Sequence, residues 1–262
     1  MTKLFYAIKL YIGLLNMFAK KVVIVTGGSA GIGAATVEMF AKEGASVAIV
    51  GRNEEKLKEV ARRCEQHGAN TLIIKADISK EDEAKTIVKK TVDKFGKLDV
   101  LVNNAGIVRF ASILEPNLLQ NYDEVMNTNL RPVILITNLA VPHLIKTKGN
   151  IINVSSVLSQ ATMMPGVLSY GVSKAGMDHF TRFAAMELAP SGVRVNSVNP
   201  GPVLTDILAT ADASGIDPAS LTLLERSSEP DEIADIILYL ASDKARSVTG
   251  SCYVIDNGAL LK

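Results

Sequence analysis

The strongest constraint on the fold is a regular alternation, from Lys21 onward, of short apolar runs with longer segments of helical periodicity. The runs are nearly continuous in hydrophobicity, as in strands that helices cover on both faces. This alternation predicts an α/β protein with a doubly wound parallel sheet. Seven strands are expected, at Val22 to Thr26, Ser46 to Val50, Thr71 to Ala76, Val100 to Asn103, Ile151 to Ser155, Val193 to Val198 and Cys252 to Ile255.

Residues 17–262 contain no repeat, low-complexity tract or linker and are therefore expected to form one domain. Residues 1–16 stand apart as an N-terminal extension. Its apolar stretch is interrupted by Lys9 and is shorter than the roughly 18 to 20 residues of a membrane span. We expect a surface-docked or poorly ordered arm, with a membrane-interface anchor as the alternative.

Charge and cysteine usage exclude several classes of protein. A net charge of +1 without a local basic stripe argues against a nucleic-acid partner. Cys64 and Cys252 are far apart and have no neighbouring histidine or cysteine at metal-ligand spacing. We therefore expect two free thiols in a cytoplasmic protein, no disulfide framework and no metal site.

A glycine-rich turn, Thr26-Gly-Gly-Ser-Ala-Gly-Ile-Gly33, follows the first predicted strand and precedes a helical segment. Glycine is required where a backbone turns tightly or where a phosphate approaches too closely for a Cβ, and a helix N-terminus attracts anions. The spacing is TGxxxGxG, and an ordinary structural turn is the alternative. Its place between strand and helix predicts a dinucleotide-binding turn that uses Gly27, Ser29, Gly31, Ile32 and Gly33.

The second predicted strand is followed by Gly51 and Arg52, where dinucleotide folds usually carry an acid that binds the ribose hydroxyls. A guanidinium at this position suits the additional phosphate of NADP and gives NAD no comparable advantage. NADP(H) is therefore the expected cofactor and NAD(H) the less favoured one. A solvent-exposed arginine at a helix start is the alternative interpretation.

Tyr170 and Lys174 are four residues apart in a segment that is expected to become helical near Val167. On a helix, both side chains project from one face. A phenol with a pKa of about 10 is a poor base at neutral pH, but an adjacent ammonium stabilises the phenolate and lowers its pKa. The pair predicts a proton-transfer site in which Lys174 lowers the pKa of Tyr170. A plain surface pair is the alternative.

Taken together, the motifs resemble those of the short-chain dehydrogenase/reductases, from Lys21 to the C-terminus. The resemblance implies a single Rossmann-type domain and an oxidoreductase that acts on the CH–OH group of its substrate. The motifs are the glycine-rich turn, Asp77 after the third strand, Asn103-Asn-Ala-Gly106, Ser156 with Tyr170-Gly-Val-Ser-Lys174, and Asn199-Pro-Gly-Pro202 with Thr205.

The resemblance also implies individual roles. Tyr170 is expected to act as general acid and base, Lys174 to bind the nicotinamide ribose, and Ser156 to hydrogen-bond the substrate oxygen. Asn129 is expected to hold a helix kink and a relay water, although it could instead be a helix cap, and Ser155 and Ser159 compete for the role of Ser156. Further cofactor contacts are expected from Asp77, Ile78, Asn103, Ala105, Gly106, Pro200, Gly201, Val203 and Thr205.

Two departures from the family pattern stand out. No basic residue lies inside the glycine-rich turn, which weakens the preference for NADP(H). Asp256-Asn257-Gly258 replaces an aspartate followed by two glycines. This second departure is expected to lie near a subunit contact, without effect on the chemistry.

The substrate wall is expected around Val108 to Phe110, Leu158 to Leu168 and a loop over about 204–225, which includes Ile207 and Leu208. Its apolar residues suit a hydrophobic ketone or secondary alcohol. The sequence resembles 3-oxoacyl thioester reductases as well as steroid or xenobiotic carbonyl reductases, so substrate and direction stay open. An NAD-dependent alcohol dehydrogenase and a catalytically silent dinucleotide-binding protein are the alternatives.

Family resemblance also implies a homodimer or homotetramer whose subunits meet through the helices around Asn129 to Ile145 and Ser169 to Leu188. We expect a carbonyl reductase that forms a homotetramer.

Overall fold

The computed structural model describes residues 16–207 and 217–262. Residues 1–15 of the predicted extension and Leu208 lie outside the described residues. The described chain contains one parallel sheet of seven strands in the order β3-β2-β1-β4-β5-β6-β7. The α/β fold class predicted from the sequence is therefore confirmed. The strands are β1 (Val22–Thr26), β2 (Ser46–Gly51), β3 (Thr71–Lys75), β4 (Val100–Asn103), β5 (Asn150–Val154), β6 (Arg194–Pro200) and β7 (Cys252–Ile255).

Helices cover both faces of this sheet. Within the described residues the α-helices are α1 (Gly31–Lys42), α2 (Glu54–Glu65), α3 (Glu81–Ala84), α4 (Thr86–Phe95), α5 (Leu118–Asn129), α6 (Arg131–Thr147), α7 (Leu168–Leu188) and α8 (Pro230–Ala241). Helices α1, α2 and α8 pack on one face, and α4, α6 and α7 pack on the other.

Strand β1 shows why the apolar runs are continuous. Val23 and Val25 pack against the layer that contains α1, while Val22 and Ile24 pack against the opposite layer. All four side chains are at most 3% exposed. Because neighbouring residues of a strand point to opposite faces, a strand that helices cover on both faces needs an apolar residue at every position.

The strand order reverses at β1, which pairs with β2 on one side and with β4 on the other. In doubly wound sheets, ligands bind at such a switch point, beyond the carboxyl ends of the strands. The pairing of β6 with β7 continues to Pro200, which lies opposite Ile255. Strand β6 therefore ends two residues later than predicted and brings Pro200 to this edge of the sheet.

Every helix within residues 16–207 and 217–262 falls short of the length and hydropathy that a membrane span requires. In the same part of the chain, no group of three or more His, Cys, Asp or Glu side chains could hold a metal ion. Cys64 is buried and Cys252 is half-buried, and both are free thiols.

Candidate active site

The glycine-rich turn lies at the switch point, against the loop that follows β4. Gly27 has φ = +67°, and a Cβ at this position would lie 2.9 Å from the Cα of Ala105. The hydroxyl of Thr26 accepts hydrogen bonds from the backbone N–H groups of Asn104 and Ala105, at 3.0 and 3.1 Å. Asn104 in turn donates to the carbonyls of Thr26 and Gly27. The absence of a side chain at Gly27 thus allows the two loops to touch.

Helix α1 begins at Gly31, within this motif, and its close approach to Gly27 depends on Gly33. A Cβ on Gly33 would lie 2.2 Å from the carbonyl oxygen of Gly27, which no real structure tolerates. Gly33 therefore packs the helix against the turn and does not line the cleft, whereas Gly27, Ser29, Gly31 and Ile32 do. Ala30 at the N-cap provides no side-chain cap, so the first N–H groups of α1 are available to an anion. This turn fits a dinucleotide pyrophosphate.

The segment that follows β2 carries two positive side chains into the same cleft. Arg52 and Lys56 both line it, Lys56 from the first turn of α2. The ammonium of Lys56 lies 3.4 Å from a carboxylate oxygen of Asp206, and both of these side chains are largely exposed. Arg52 lies near Asp77. Burial would raise the pKa of the Asp77 carboxyl, but hydrogen bonds from Ser79 and the charge of Arg52 hold that pKa below its ordinary value. Asp77 and Ile78 line the cleft as expected, and Asp77 also closes the turn that follows β3.

The loop after β4 differs from the expectation at one residue. Asn103 is 1% exposed and donates hydrogen bonds to Asn153 and Thr137 inside the core. It does not line the cleft, because successive strand residues point to opposite sides of the sheet. The next residue, Asn104, lines the cleft together with Ala105 and Gly106. The expected contact of the Asn103 side chain with a cofactor is therefore not supported.

Tyr170 and Lys174 project from one face of α7, whose first residue is Leu168 with Val167 at the N-cap. Both line the cleft, and they are 9% and 2% exposed respectively. The ammonium of Lys174 donates to the carbonyl of Val154 at 2.7 Å and lies 5.4 Å from the centroid of the Tyr170 ring. The helix thus places a phenol and an amine side by side.

The pKa of Tyr170 differs in direction from the prediction. Burial raises the pKa of the phenol to about 12, and a hydrogen bond with Ser156 opposes this rise only in part. Burial also lowers the pKa of Lys174 to about 8, with the charge of Asp178 acting in the opposite direction. The expected lowering by the ammonium is absent because desolvation of the phenolate dominates. At neutral pH the phenol is therefore protonated, which is the state that donates a proton to a carbonyl oxygen.

Three serines compete for the role beside Tyr170, and the structure separates them. Ser155 donates its hydroxyl to the backbone carbonyl of Lys174, and Ser159 bonds to Asp178 and to the carbonyl of Ser156. The hydroxyl of Ser156 accepts from the N–H of Leu158 and forms the hydrogen bond with Tyr170. Ser156 is thus the serine whose hydroxyl adjoins the phenol.

Asn129 is the last residue of α5, and the helix breaks at Leu130 before α6 begins. Its side chain exchanges two hydrogen bonds with the backbone of Ile107, at 2.8 and 2.9 Å, and donates to the hydroxyl of Ser173 at 3.3 Å. It makes no helix-capping bond, so the cap interpretation is wrong. Asn129 joins the loop after β4 to helix α7, beside Lys174.

The turn with the unusual Asn257 lies closer to the cleft than expected. Asn257 adopts φ = +52° and donates hydrogen bonds to Ser228 and to the carbonyl of Arg226. A Cβ on Gly201 would lie 2.8 Å from the Cα of Asp256, so this turn packs against a residue that lines the cleft. The turn therefore supports the segment around Gly201.

One cleft with a volume of about 800 Å³ joins all these parts. An apolar cluster surrounds Tyr170 at one end, where Val108, Val167 and Tyr170 pack with Phe110, Leu158, Met164 and Ile207. Leu168, predicted as part of the wall, is instead 41% exposed at the start of α7. The predicted site residues that line the cleft are Gly27, Ser29, Gly31, Ile32, Arg52, Asp77, Ile78, Ala105, Gly106, Ser156, Tyr170, Lys174, Pro200, Gly201, Val203 and Thr205.

Lys56 and Asn104 are polar residues of this cleft that sequence reasoning missed. Lys56 lies three positions after Asn53, which caps α2. A predicted helix start at Asn53 would have placed the Lys56 side chain near Arg52. Asn104 stood in the quoted motif, and its position directly after the predicted end of β4 could have assigned it to the cleft.

Comparison with known proteins agrees with this geometry. A family model described as enoyl-(acyl carrier protein) reductase matches residues 27–259. The chain is 38% identical over 243 residues to a 3-oxoacyl-(acyl-carrier-protein) reductase FabG of Thermotoga maritima, covering 92% of this chain and 98% of the relative. It is 36% identical over 251 residues to an L-fucose dehydrogenase of Mus musculus, covering 93% and 90%.

Solved structures give the same result. A short-chain dehydrogenase of Burkholderia cenocepacia, crystallised in complex with NADP, superposes with a TM-score of 0.88 at 33% identity. The match covers 94% of this chain and all of that one. The relatives carry different substrate names, so likeness to them identifies a class of enzyme and leaves its substrate open. The chain is an oxidoreductase that belongs to the short-chain dehydrogenase/reductase family.

Proposed function

We propose that the protein is an NADP(H)-dependent oxidoreductase that interconverts a hydrophobic ketone and a secondary alcohol. The observation that carries the proposal is the arrangement of Ser156, Tyr170 and Lys174 at the apolar end of the cleft whose other end holds Arg52 and Lys56. A silent dinucleotide-binding protein has no need for a buried amine beside a buried phenol. We place the enzyme in the cytoplasm and treat residues 17–262 as one catalytic domain, and both assignments stay predictions.

The cofactor assignment rests on charge at the adenosine end. Arg52 and Lys56 would bind the additional phosphate of NADP(H), and the first N–H groups of α1 would bind its pyrophosphate. The relative from Burkholderia cenocepacia, described as a complex with NADP, supports this choice. An NAD-dependent dehydrogenase would have no use for this pair of cations.

A bound nicotinamide would supply the hydride chemistry of the proposed reaction, toward a carbonyl carbon or from an alcohol. Tyr170 donates its phenolic proton to the carbonyl oxygen during reduction, and Ser156 hydrogen-bonds the same oxygen. Lys174 stabilises the phenolate that remains, and it would hydrogen-bond the nicotinamide ribose. The buried phenol, with its raised pKa, is poised for the reductive direction at neutral pH.

The substrate class is inferred from the wall around Tyr170. Met163, Met164, Leu158 and Ile207 present flexible apolar side chains there, which suit an acyl, aromatic or polycyclic carbonyl better than a sugar. A 3-oxoacyl thioester is one member of this class. The sugar named for the Mus musculus relative provides the polar contrast.

The proposal is tested by a substrate screen with both cofactors. The purified protein is assayed with NADPH and NADH against 3-oxoacyl thioesters, aromatic ketones, steroid ketones and, in the oxidative direction, L-fucose. We expect NADPH oxidation with at least one apolar carbonyl, well above the rate of the Tyr170→Phe variant. Equal background rates for both proteins across the panel would overturn the proposal.

A further inference from the structure

Asp178 is a buried carboxylate behind the reacting side chains. It lies on α7, four residues after Lys174 and eight after Tyr170, so all three project toward the same side of the helix. Asp178 is only 4% exposed. A carboxylate in such a place is costly unless hydrogen bonds satisfy it, and the chemistry described above assigns it no task.

Three side chains satisfy this carboxylate. One oxygen accepts from the hydroxyl of Ser159 at 2.6 Å and from the amide of Asn199 at 2.7 Å. The other oxygen accepts from the hydroxyl of Ser197 at 3.1 Å. Together Asp178, Ser159, Ser197 and Asn199 form a buried cluster, here called the Asp178 network, that joins α7, β6 and the short segment after β5.

The network holds the backbone of Ser156. The amide of Asn199 lies 3.2 Å from the Ser156 carbonyl, and the hydroxyl of Ser159 lies 2.7 Å from the same oxygen. A hydroxyl has a single hydrogen, so Ser159 shares it between Asp178 and Ser156, while Asn199 has two amide hydrogens to distribute. Loss of the carboxylate would remove the acceptor that anchors Ser159 and Asn199 and would thereby weaken their hold on the serine that adjoins Tyr170.

The network also acts on Lys174 through charge. The ammonium bonds to the Val154 carbonyl and lies beside the Tyr170 ring, and a Cβ on Gly106 would lie 3.7 Å from it. In the described part of the chain, Asp178 is the carboxylate whose charge raises the pKa of Lys174, against the burial that lowers it to about 8. Removing this charge would let the amine lose its proton at lower pH.

We propose that Asp178 is a positioning residue for the reaction, which fixes Ser156 through Ser159 and Asn199 and supplies the negative charge that keeps Lys174 protonated. The inference rests on the proposed function, since positioning has meaning only for a working phenol and amine. The inference assigns both the positioning of Ser156 and the charge on Lys174 to one carboxylate. Variants that keep or remove its charge can therefore separate the two effects.

The first test is the pH profile of kcat/KM for carbonyl reduction in three variants. Asp178→Asn keeps the size and removes the charge, so the loss of rate at high pH should begin about one pH unit lower than in the wild type. Asp178→Glu keeps the charge and should retain the wild-type position of this limb. Ser159→Ala should lower kcat without moving the limb. An Asp178→Asn profile with an unmoved limb would overturn the inference.

The second test needs neither substrate nor cofactor. Unfolding free energies are measured by urea for the wild type, Asp178→Asn, Lys174→Met and the double variant at pH 7. Asp178→Asn should destabilise the wild type more than it destabilises Lys174→Met, because the attraction is already lost in the latter. The difference should shrink at pH 10. Additive effects at pH 7 contradict the inference.

The two tests fail independently. If the substrate screen finds no activity, the proposed function fails, while the unfolding cycle still decides whether Asp178 holds the charge of Lys174. If Asp178→Asn does not fold, Asp178→Ser takes its place in both tests. It also removes the charge and keeps an oxygen to which Asn199 can donate.

Discussion

Arg52 and Lys56 are the residues that distinguish NADP(H) from NAD(H) in this account. A charge-assisted hydrogen bond to a phosphate contributes about 1.5 to 3 kcal/mol. Arg52→Ala should therefore raise the Kd for NADPH about 10- to 100-fold and leave the Kd for NADH nearly unchanged, as measured by fluorescence titration. Lys56→Ala should act in the same direction with a smaller effect, because its ammonium also faces Asp206.

Arg62→Ala is the matched control, since Arg62 lies on α2, the helix that carries Lys56, with its side chain exposed to solvent. It should leave both dissociation constants unchanged. Equal weakening of NADPH and NADH by Arg52→Ala would contradict the role assigned to Arg52.

Lys174 is the residue whose titration sets the pH dependence. Its pKa is lowered to about 8 by burial, from 10.5 for an exposed lysine. Carbonyl reduction should decline as the pH rises through about 8, because the amine then loses the charge that stabilises the phenolate. The measurement is kcat/KM across about four pH units, from roughly pH 6 to pH 10.

The same titration predicts the stability of a variant. Unfolding restores the ordinary pKa, so the unfolded chain binds more protons between pH 8 and 10.5 and the unfolding free energy rises with pH across this window. Below it, the buried ammonium costs stability. Lys174→Met should thus be inactive yet at least as stable as the wild type at pH 7. Toward high pH, the unfolding free energy of the wild type should rise relative to that of the variant. A Lys174→Met variant that is less stable at pH 7 and shows no such trend would contradict this reading.

At the scale of elements, the site is formed by the approach of α1 to the glycine-rich turn. A Cβ on Gly33 would lie 2.2 Å from the carbonyl of Gly27, so Gly33→Ala must push the helix outward. Overpacking of this kind costs about 1 to 3 kcal/mol. We expect a lower Tm by thermal unfolding and loss of NADPH binding by titration.

Lys42→Ala, at the exposed end of the same helix, is the control and should change neither property. A Gly33→Ala protein that binds NADPH with wild-type affinity would show that the close approach of α1 is not required.

Local spacing allowed the register of α7 to be predicted, because Tyr170 and Lys174 share a face in any helix that starts near Val167. The burial of these side chains depends on β5 and on loops far away in sequence, so the direction of the Tyr170 pKa could not be predicted. The hydrogen bonds of Asn129 could not be predicted either, because its partner Ile107 lies in the loop after β4 and not near it in sequence. The end of β4 at Asn103 was predicted correctly, but the sequence could not show that this side chain bonds to Thr137 and Asn153 in the core, because both partners are far away in sequence.

For the whole molecule, the continuous apolar runs predicted the sheet and its two helical layers, because each strand must be apolar at every position. The Asp178 network was beyond sequence reasoning. Its members come from three segments that meet only after folding, and no spacing links Ser159 to Asn199.

Helices α6 and α7 also carry apolar side chains on the surface of the single chain, among them Ile134, Val172, Phe183 and Met186, which are 44%, 45%, 50% and 64% exposed. They lie on the helices that the sequence predicted as a subunit interface. A cluster of this kind on a folded protein favours contact with a second copy. Phe183→Asp should reduce the assembly measured by multi-angle light scattering.

Leu114→Asp provides the control, because Leu114 is 90% exposed but lies on neither helix. This variant should keep the wild-type mass. A wild-type protein that is monomeric at micromolar concentration would contradict the predicted interface.

The central claim is that Tyr170 transfers the proton while NADPH delivers the hydride. Single-turnover oxidation of bound NADPH by an apolar carbonyl substrate tests it directly, with Tyr170→Phe beside the control Tyr239→Phe, whose residue is 40% exposed. Removing a general acid should slow Tyr170→Phe by about 10²- to 10⁴-fold at unchanged NADPH affinity, while Tyr239→Phe keeps the wild-type rate. A Tyr170→Phe rate within about threefold of the wild type would contradict the claim.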